Sequence, residues 1–201
     1  DVAPSRGLGD VYKRQVQIQR VMEDVMFVLE LIGAAAFAVS GAMVAIEKKA
    51  DIFGVLFLAV TTALGGGVIR DVLIGRIPPV MFVSYWYLLI SVVAALAVFI
   101  DAYLRSEKYK LHLDKLDAVN NVFDAIGLAV FTVSGMNAAM PVSDNVILVL
   151  FVGMCTGVGG GMLRDVMTNT MPKVLRKRVY AVASLIGGGL YYVMHVLDIN
   201  Q

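Results

Sequence analysis

The chain has one cysteine, Cys155, and two histidines, His112 and His195. A single cysteine inside an apolar run excludes an intrachain disulfide and a thiolate metal cluster, and its ordinary role is that of a small buried apolar residue. The histidines form no cluster with carboxylates at metal-ligand spacing. There is no Gly-x-Ser-x-Gly and no phosphate loop with its lysine. The sequence therefore gives no sign of an enzyme, a cofactor or a structural metal. Charge is scarce as well. Only 16% of the 201 residues are charged, against about 25% in a soluble domain, too few to cover a water-facing surface. The formal net charge of +1 gives no indication of a nucleic-acid partner.

Long apolar runs are abundant, 59% of the residues being hydrophobic. The first, residues 25–46, is interrupted only by Glu30. The second, 52–69, has 18 uncharged residues, or about 27 Å of helix, enough to cross most of a bilayer core of ~30 Å. The third, 80–100, carries Tyr85, Trp86 and Tyr87 near its start, where aromatic residues suit a membrane–water interface. The fourth, 119–140, contains Asp124. The fifth is 146–163, and the sixth, 179–196, holds Gly187, Gly188, Gly189 and His195. An all-α integral membrane protein with six transmembrane helices is expected.

Residues 1–20 are polar, have no signal-peptide core, and resemble translated adapter sequence across 5–15. They are set apart from the fold. A first three-helix unit is expected over 21–101, a cytoplasmic linker over 102–117 and a second unit over 118–201.

The two units are copies. Sliding the chain by 94 sets residues 37–80 on 131–174 with 17 identities in 44. Ser40-Gly41 falls on Ser134-Gly135 and Thr62 on Thr156. Gly65-Gly66-Gly67 falls on Gly159-Gly160-Gly161, and Arg70-Asp71 on Arg164-Asp165. Upstream, Glu30 falls on Asp124. Shared valine and leucine follow from composition; shared glycine triplets and charges do not.

Eleven Lys and Arg lie on the side of connectors one–two, three–four and five–six, whereas Arg20, Arg70 and Arg76 lie opposite. The positive-inside rule then puts the native N-terminus outside. Three spans per copy is an odd number, so the copies are inverted. Inverted repeats place a solute path near the bilayer midplane between discontinuous helices.

Each glycine costs a helix roughly 1 kcal/mol against alanine, so helices 2 and 5 are expected to break at Gly65–Gly67 and Gly159–Gly161 and to line a wet path. Close helix packing is the alternative, preferred for Gly187–Gly189. Arg70-Asp71 and Arg164-Asp165 read as facing gates or selectivity elements, or more plainly as span ends. Glu30 and Asp124 are intramembrane carboxylates, functional by default unless they sit at frayed helix starts. Ser40, Thr61, Thr62, Ser134 and Thr156 offer hydroxyls to a path or to helix packing. His195 reads as interfacial and His112 as solvated.

A doubled unit of Phe-(Ala/Thr)-Val-Ser-Gly, then Gly-Gly-Gly-x-x-Arg-Asp, then Pro, resembles the bacterial branch of the trimeric intracellular cation (TRIC) channels, also labelled glycine-transporter-domain membrane proteins. The resemblance covers about residues 24–196. It implies a homotrimer in the bacterial inner membrane, each subunit with its own pore bounded by kinked second and fifth helices, passing monovalent cations, chiefly potassium. It also implies a seventh helix after the sixth, expected to be missing from the sequence to Gln201. A secondary transporter of a small zwitterion such as glycine uses the same inverted repeats, and a structural membrane subunit is a third reading.

Overall fold

The computed structural model describes residues 4–104, 113–176 and 178–197, and all regular structure among them is helical. The helices are α1 (Pro4–Glu47), α2 (Ile52–Leu73), α3 (Val80–Val83), α4 (Tyr85–Leu104), α5 (Leu113–Ala139), α6 (Val146–Met167), α7 (Lys173–Arg176) and α8 (Arg178–Val196). Five of them contain stretches long and apolar enough to cross a membrane: Tyr12–Glu47, Ile52–Leu73, Tyr85–Leu104, Ala118–Ala139 and Val146–Met167. The sixth apolar run forms a helix too, with a shorter apolar part, Ala181–Val196. His112, Lys177 and the middle half of the expected linker, 105–112, lie outside the described residues.

Equivalent signals start and stop α2 and α6. Asp51 Oδ1 accepts from the Gly54 amide at 2.8 Å, and Asn145 Oδ1 accepts from the Ile147 amide at 3.0 Å, each satisfying an amide that the first turn leaves free. At the other end the Arg76 amide reaches Asp71 O and the Gly75 amide reaches Val72 O. In the second copy Thr170 and Asn169 make the same bonds to Asp165 and Val166. This is a Schellman cap, whose C′ residue takes the left-handed conformation: Gly75 has φ +71° and Asn169 φ +53°.

α1, α2 and α4 pack as one three-helix bundle, and α5, α6 and α8 as another. The bundles join through α1 against α5 and α2 against α6. On α1, Ala34, Ala38, Ala42 and Ala45 are buried along one face, at the spacing that lets neighbouring backbones approach. On α4 Tyr87, Ser91, Ala95 and Ala102 are buried and Ile90, Ala94, Val98 and Phe99 are half-buried against the same core, while Tyr85, Trp86, Leu88, Leu89, Val93 and Ile100 are exposed.

Two expectations, on the third span and on the glycine triplets, are corrected below. α1 begins at Pro4 and runs on into the first span. No proline follows Pro4 in α1 to stop the helix, although Tyr12, Ile18, Val21 and Met22 are exposed. The third span is divided at Ser84, whose backbone is extended between α3 and α4. Most important, α2 and α6 are not broken at their glycine triplets; each is a 22-residue α-helix running through them.

The reason lies in what faces the glycines. A Cβ on Gly66 would stand 2.2 Å from Thr156 O, and one on Gly160 2.0 Å from Thr62 O. The two helices cross backbone to backbone, and only hydrogen fits between them. The helix-propensity penalty of glycine is outweighed by contacts along the crossing. Close packing, the alternative reading of the triplets, is the one the structure contains. In α8 the same role falls to Gly188 alone, against Met136 and Thr132, while a Cβ on Gly187 or Gly189 would meet nothing within 4 Å.

Candidate functional site

The α2–α6 crossing exchanges equivalent contacts: 66 meets 156 and 160 meets 62. Reciprocal exchange of this kind is the pattern of a two-fold relation. Phe37 and Phe131, also equivalents, stack at 5.5 Å with an interplanar angle of 23°. Each ring lies over a glycine of the other copy, Phe37 over Gly127 and Phe131 over Gly33. The Thr62 and Thr156 hydroxyls turn back on their own helices, donating to Leu58 O and Val152 O at 2.6 Å. The middle of the molecule is therefore closely packed, without the hydrated gap expected between the triplets.

A buried charged cluster sits on each side of this crossing. In the first, Arg70 Nε donates to Asp71 Oδ1 at 2.8 Å. Arg70 Nη1 donates to Ser134 Oγ at 3.1 Å and lies 3.7 Å from Glu30 Oε1. Glu30 accepts from the Ser134 and Tyr87 hydroxyls. Asp71 Oδ2 accepts from the Val80 amide at 2.8 Å and so caps α3.

The second cluster repeats the plan. Arg164 Nε donates to Asp165 Oδ1 at 2.8 Å, and Arg164 Nη1 to Asp124 Oδ1 at 2.6 Å and to Ser40 Oγ. Ser40 donates to Asp124 Oδ1 at 2.6 Å. Asp165 Oδ2 accepts from the Lys173 amide at 2.9 Å and caps α7. Lys173 Nζ completes the set at 2.8 Å from Asp124 Oδ2. Arg164 is 1% exposed, Asp124 1% and Asp71 1%, so these are not span ends trailing into water. Isolated charges at such depth are prohibitively costly; paired and hydrogen-bonded ones are tolerated.

Each cluster has a small cavity. One of about 30 Å³ is lined by Glu30, Gly67, Arg70, Asp71, Tyr87 and Phe131 among others. Its counterpart of about 10 Å³ is lined by Phe37, Asp124, Gly161, Arg164, Asp165 and Lys173 among others. A cavity needs roughly 10–15 Å³ by this measure to hold one water, so the first takes a water or two and the second one at most. Neither Gly66 nor Gly160 lines either cavity.

The structure thus brings together Glu30, Arg70, Asp71 and Ser134 at one site and Ser40, Asp124, Arg164 and Asp165 at the other. Gly67 and Gly161 face the cavities. Gly65 and Gly159 abut Leu163 and Ile69 across the crossing. Thr61 is half-buried and lines neither cavity. Sequence reasoning missed Tyr87, read as an interfacial aromatic, and Lys173, read as part of a basic connector. It also passed over the Phe37–Phe131 stack, although both residues head the aligned repeat. Lys173 directly follows the repeat-matched Pro172, which was its available signal.

The family described as Glycine transporter matches residues 27–102 and again 121–196, two stretches offset by 94 (121 − 27), as in the internal alignment. A UPF0126 membrane protein of Deinococcus radiodurans is 38% identical over 83% of this chain and 74% of its own. The inner membrane protein YadS of Escherichia coli is 37% identical over 80% of this chain and 74% of its own. Among solved structures, a TRIC cation channel studied for conductance is 38% identical, covers 86% of this chain and 81% of that one, and superposes with a TM-score of 0.72. The TRIC trimeric intracellular cation channel orthologue from Rhodobacter sphaeroides is 30% identical, with coverages of 86% and 85% and a TM-score of 0.76. The chain belongs to the TRIC family of membrane proteins, the family described as Glycine transporter.

Proposed function

We propose that the protein is a channel for monovalent cations, chiefly potassium, with a path inside each subunit that runs from one charged cluster to the other past the α2–α6 crossing. The observation that carries this reading is the pair of repeat-related Arg–carboxylate–Ser clusters, each with its cavity, on the two sides of that crossing. Carboxylates near the path favour cations, and the guanidinium groups hold them in place until the helices part. As described, the path is shut. Opening requires α2 and α6 to separate at Gly66 and Gly160 and the serine bridges to release.

The wider arrangement follows the same reading. Six spans, counting α8, form two copies inverted in an inner membrane, with the native N-terminus outside as the distribution of Lys and Arg favours. The subunits assemble as a homotrimer, in keeping with the trimeric name of the Rhodobacter sphaeroides relative. A secondary transporter of glycine is the second reading, and the family's description favours it. Against it, such transporters present half-helix N-termini to a substrate carboxylate, and here both triplets lie inside continuous helices.

Planar-bilayer recording of the purified protein in a KCl gradient tests the proposal. Unitary currents reversing near the potassium equilibrium potential are expected. Saturable glycine uptake into vesicles without such currents would establish the transporter instead.

A further inference from the structure

The two clusters share equivalent carboxylates, arginines and serines but differ in the further donor to Glu30 and to Asp124. Asp124 Oδ1 is taken by Arg164 and Ser40, and Oδ2 by the Lys173 ammonium at 2.8 Å. Beside Glu30 the corresponding donor is neutral, the Tyr87 hydroxyl. Sliding back by 94 from Lys173 reaches Pro79, so the first copy has no basic side chain to offer there. Two carboxylates, Glu30 and Asp71, against one guanidinium leave a formal charge of −1 at the first cluster. At the second, Asp124 and Asp165 are balanced by Arg164 and Lys173. The cavities differ in the same sense, about 30 Å³ at Glu30 and about 10 Å³ where Lys173 forms part of the wall.

Lys173 is also the member of its cluster free to leave. Its side chain is 24% exposed, whereas that of Arg164 is 1% exposed. An ammonium on a flexible stem is a mobile point charge; a guanidinium bound to two carboxylates and a serine is held by its planar fork. Resting on the channel reading above, we propose that Lys173 is a tethered cation, its ammonium occupying on Asp124 the seat that a permeant monovalent cation takes beside Glu30, so that the two ends of the path are electrostatically unequal and the current rectifies. One unit charge about 6 Å from the path in a watery mouth changes local cation concentration about three-fold. The larger current flows when potassium enters from the Glu30 end.

The test is single-channel recording of the full chain in symmetric KCl, comparing currents at equal and opposite voltages. Wild type is expected to give a ratio of about three. Lys173→Gln brings the ratio toward one with a larger conductance, because both ends are then negative. Glu30→Gln also brings it toward one, with a smaller conductance, because both ends are then neutral. Lys173→Arg keeps the wild-type ratio. In a Cys155→Ser background, Lys173→Cys gives the symmetric current, and treatment with aminoethyl methanethiosulfonate, which puts an ammonium back, restores the ratio in the same membrane. A purely structural lysine would not respond to that treatment. A wild-type ratio of one, or a ratio unmoved by Lys173→Gln or Glu30→Gln, overturns the assignment while leaving the channel standing. Absence of potassium current in wild type overturns both.

Discussion

Ser40 donates a 2.6 Å hydrogen bond to Asp124 Oδ1 across 84 residues, from one repeat into the other. Ser134, its counterpart, donates to Glu30 Oε1 across 104 residues. Each hydroxyl also accepts from the arginine of the opposite copy. Each serine thus ties a charged cluster of one bundle to the other bundle.

Ser40→Ala and Ser134→Ala remove these links without changing charge. Hydrogen bonds to charged groups are worth about 1.5–3 kcal/mol, so each variant is expected to lower the unfolding midpoint in detergent. If the bonds are present only with the path shut, the open fraction rises about ten-fold or more. Thermal unfolding and open probability check the two effects separately.

Alanine at Gly66 or Gly160 drives a methyl group into a carbonyl of the facing helix. Overpacking of this kind costs about 1–3 kcal/mol, read as a loss of thermal stability. Gly67→Ala is the control: a Cβ there meets nothing within 4 Å, and the helix gains up to about 1 kcal/mol. Equal behaviour of the three variants would contradict the crossing.

Asp124→Ala strands Arg164 and Lys173 beside a single remaining carboxylate, Asp165, and breaking a buried pair from one side costs about 3–5 kcal/mol. Glu30→Ala is expected to cost less, since the Glu30 side chain is 19% exposed and one of its partners is a neutral phenol. Combining Asp124→Ala with Arg164→Met should cost less than the two single losses added together, because the Arg164–Asp124 pair that each single variant breaks is lost only once. A double-mutant cycle on unfolding free energies measures that difference.

Much of the site was legible because the doubling of the sequence left the same marks twice. Glu30 with Asp124, Ser40 with Ser134 and the two Arg-Asp pairs recur at one offset, and all eight meet in the clusters. The state of the glycine triplets was not legible. Glycine's local cost points to a break, and only the identity of the facing backbone, Thr156 O or Thr62 O, turns it into a contact. Tyr87 and Lys173 escaped for a related reason. An aromatic residue near a span end and a lysine in a basic connector have ordinary interfacial roles, and nothing local says that each reaches a carboxylate 57 or 49 residues away.

The helix stops separate by the same logic. Gly75 and Asn169 both hold left-handed backbone at the caps of α2 and α6. Gly75→Ala is expected to cost about 1–2 kcal/mol, and Asn169→Gly to be neutral or slightly stabilising. Unfolding midpoints of the two variants check the pair.

α2 and α6 close the proposed path between them, and the serine bridges help keep it closed. Single-channel recording of Ser40→Ala/Ser134→Ala beside wild type in symmetric KCl tests it most directly. The prediction is cation-selective current of the same unitary size in both, with the double variant open far more of the time. A folded double variant that opens no more often than wild type, or two proteins that carry no cation current while taking up glycine saturably, would contradict it.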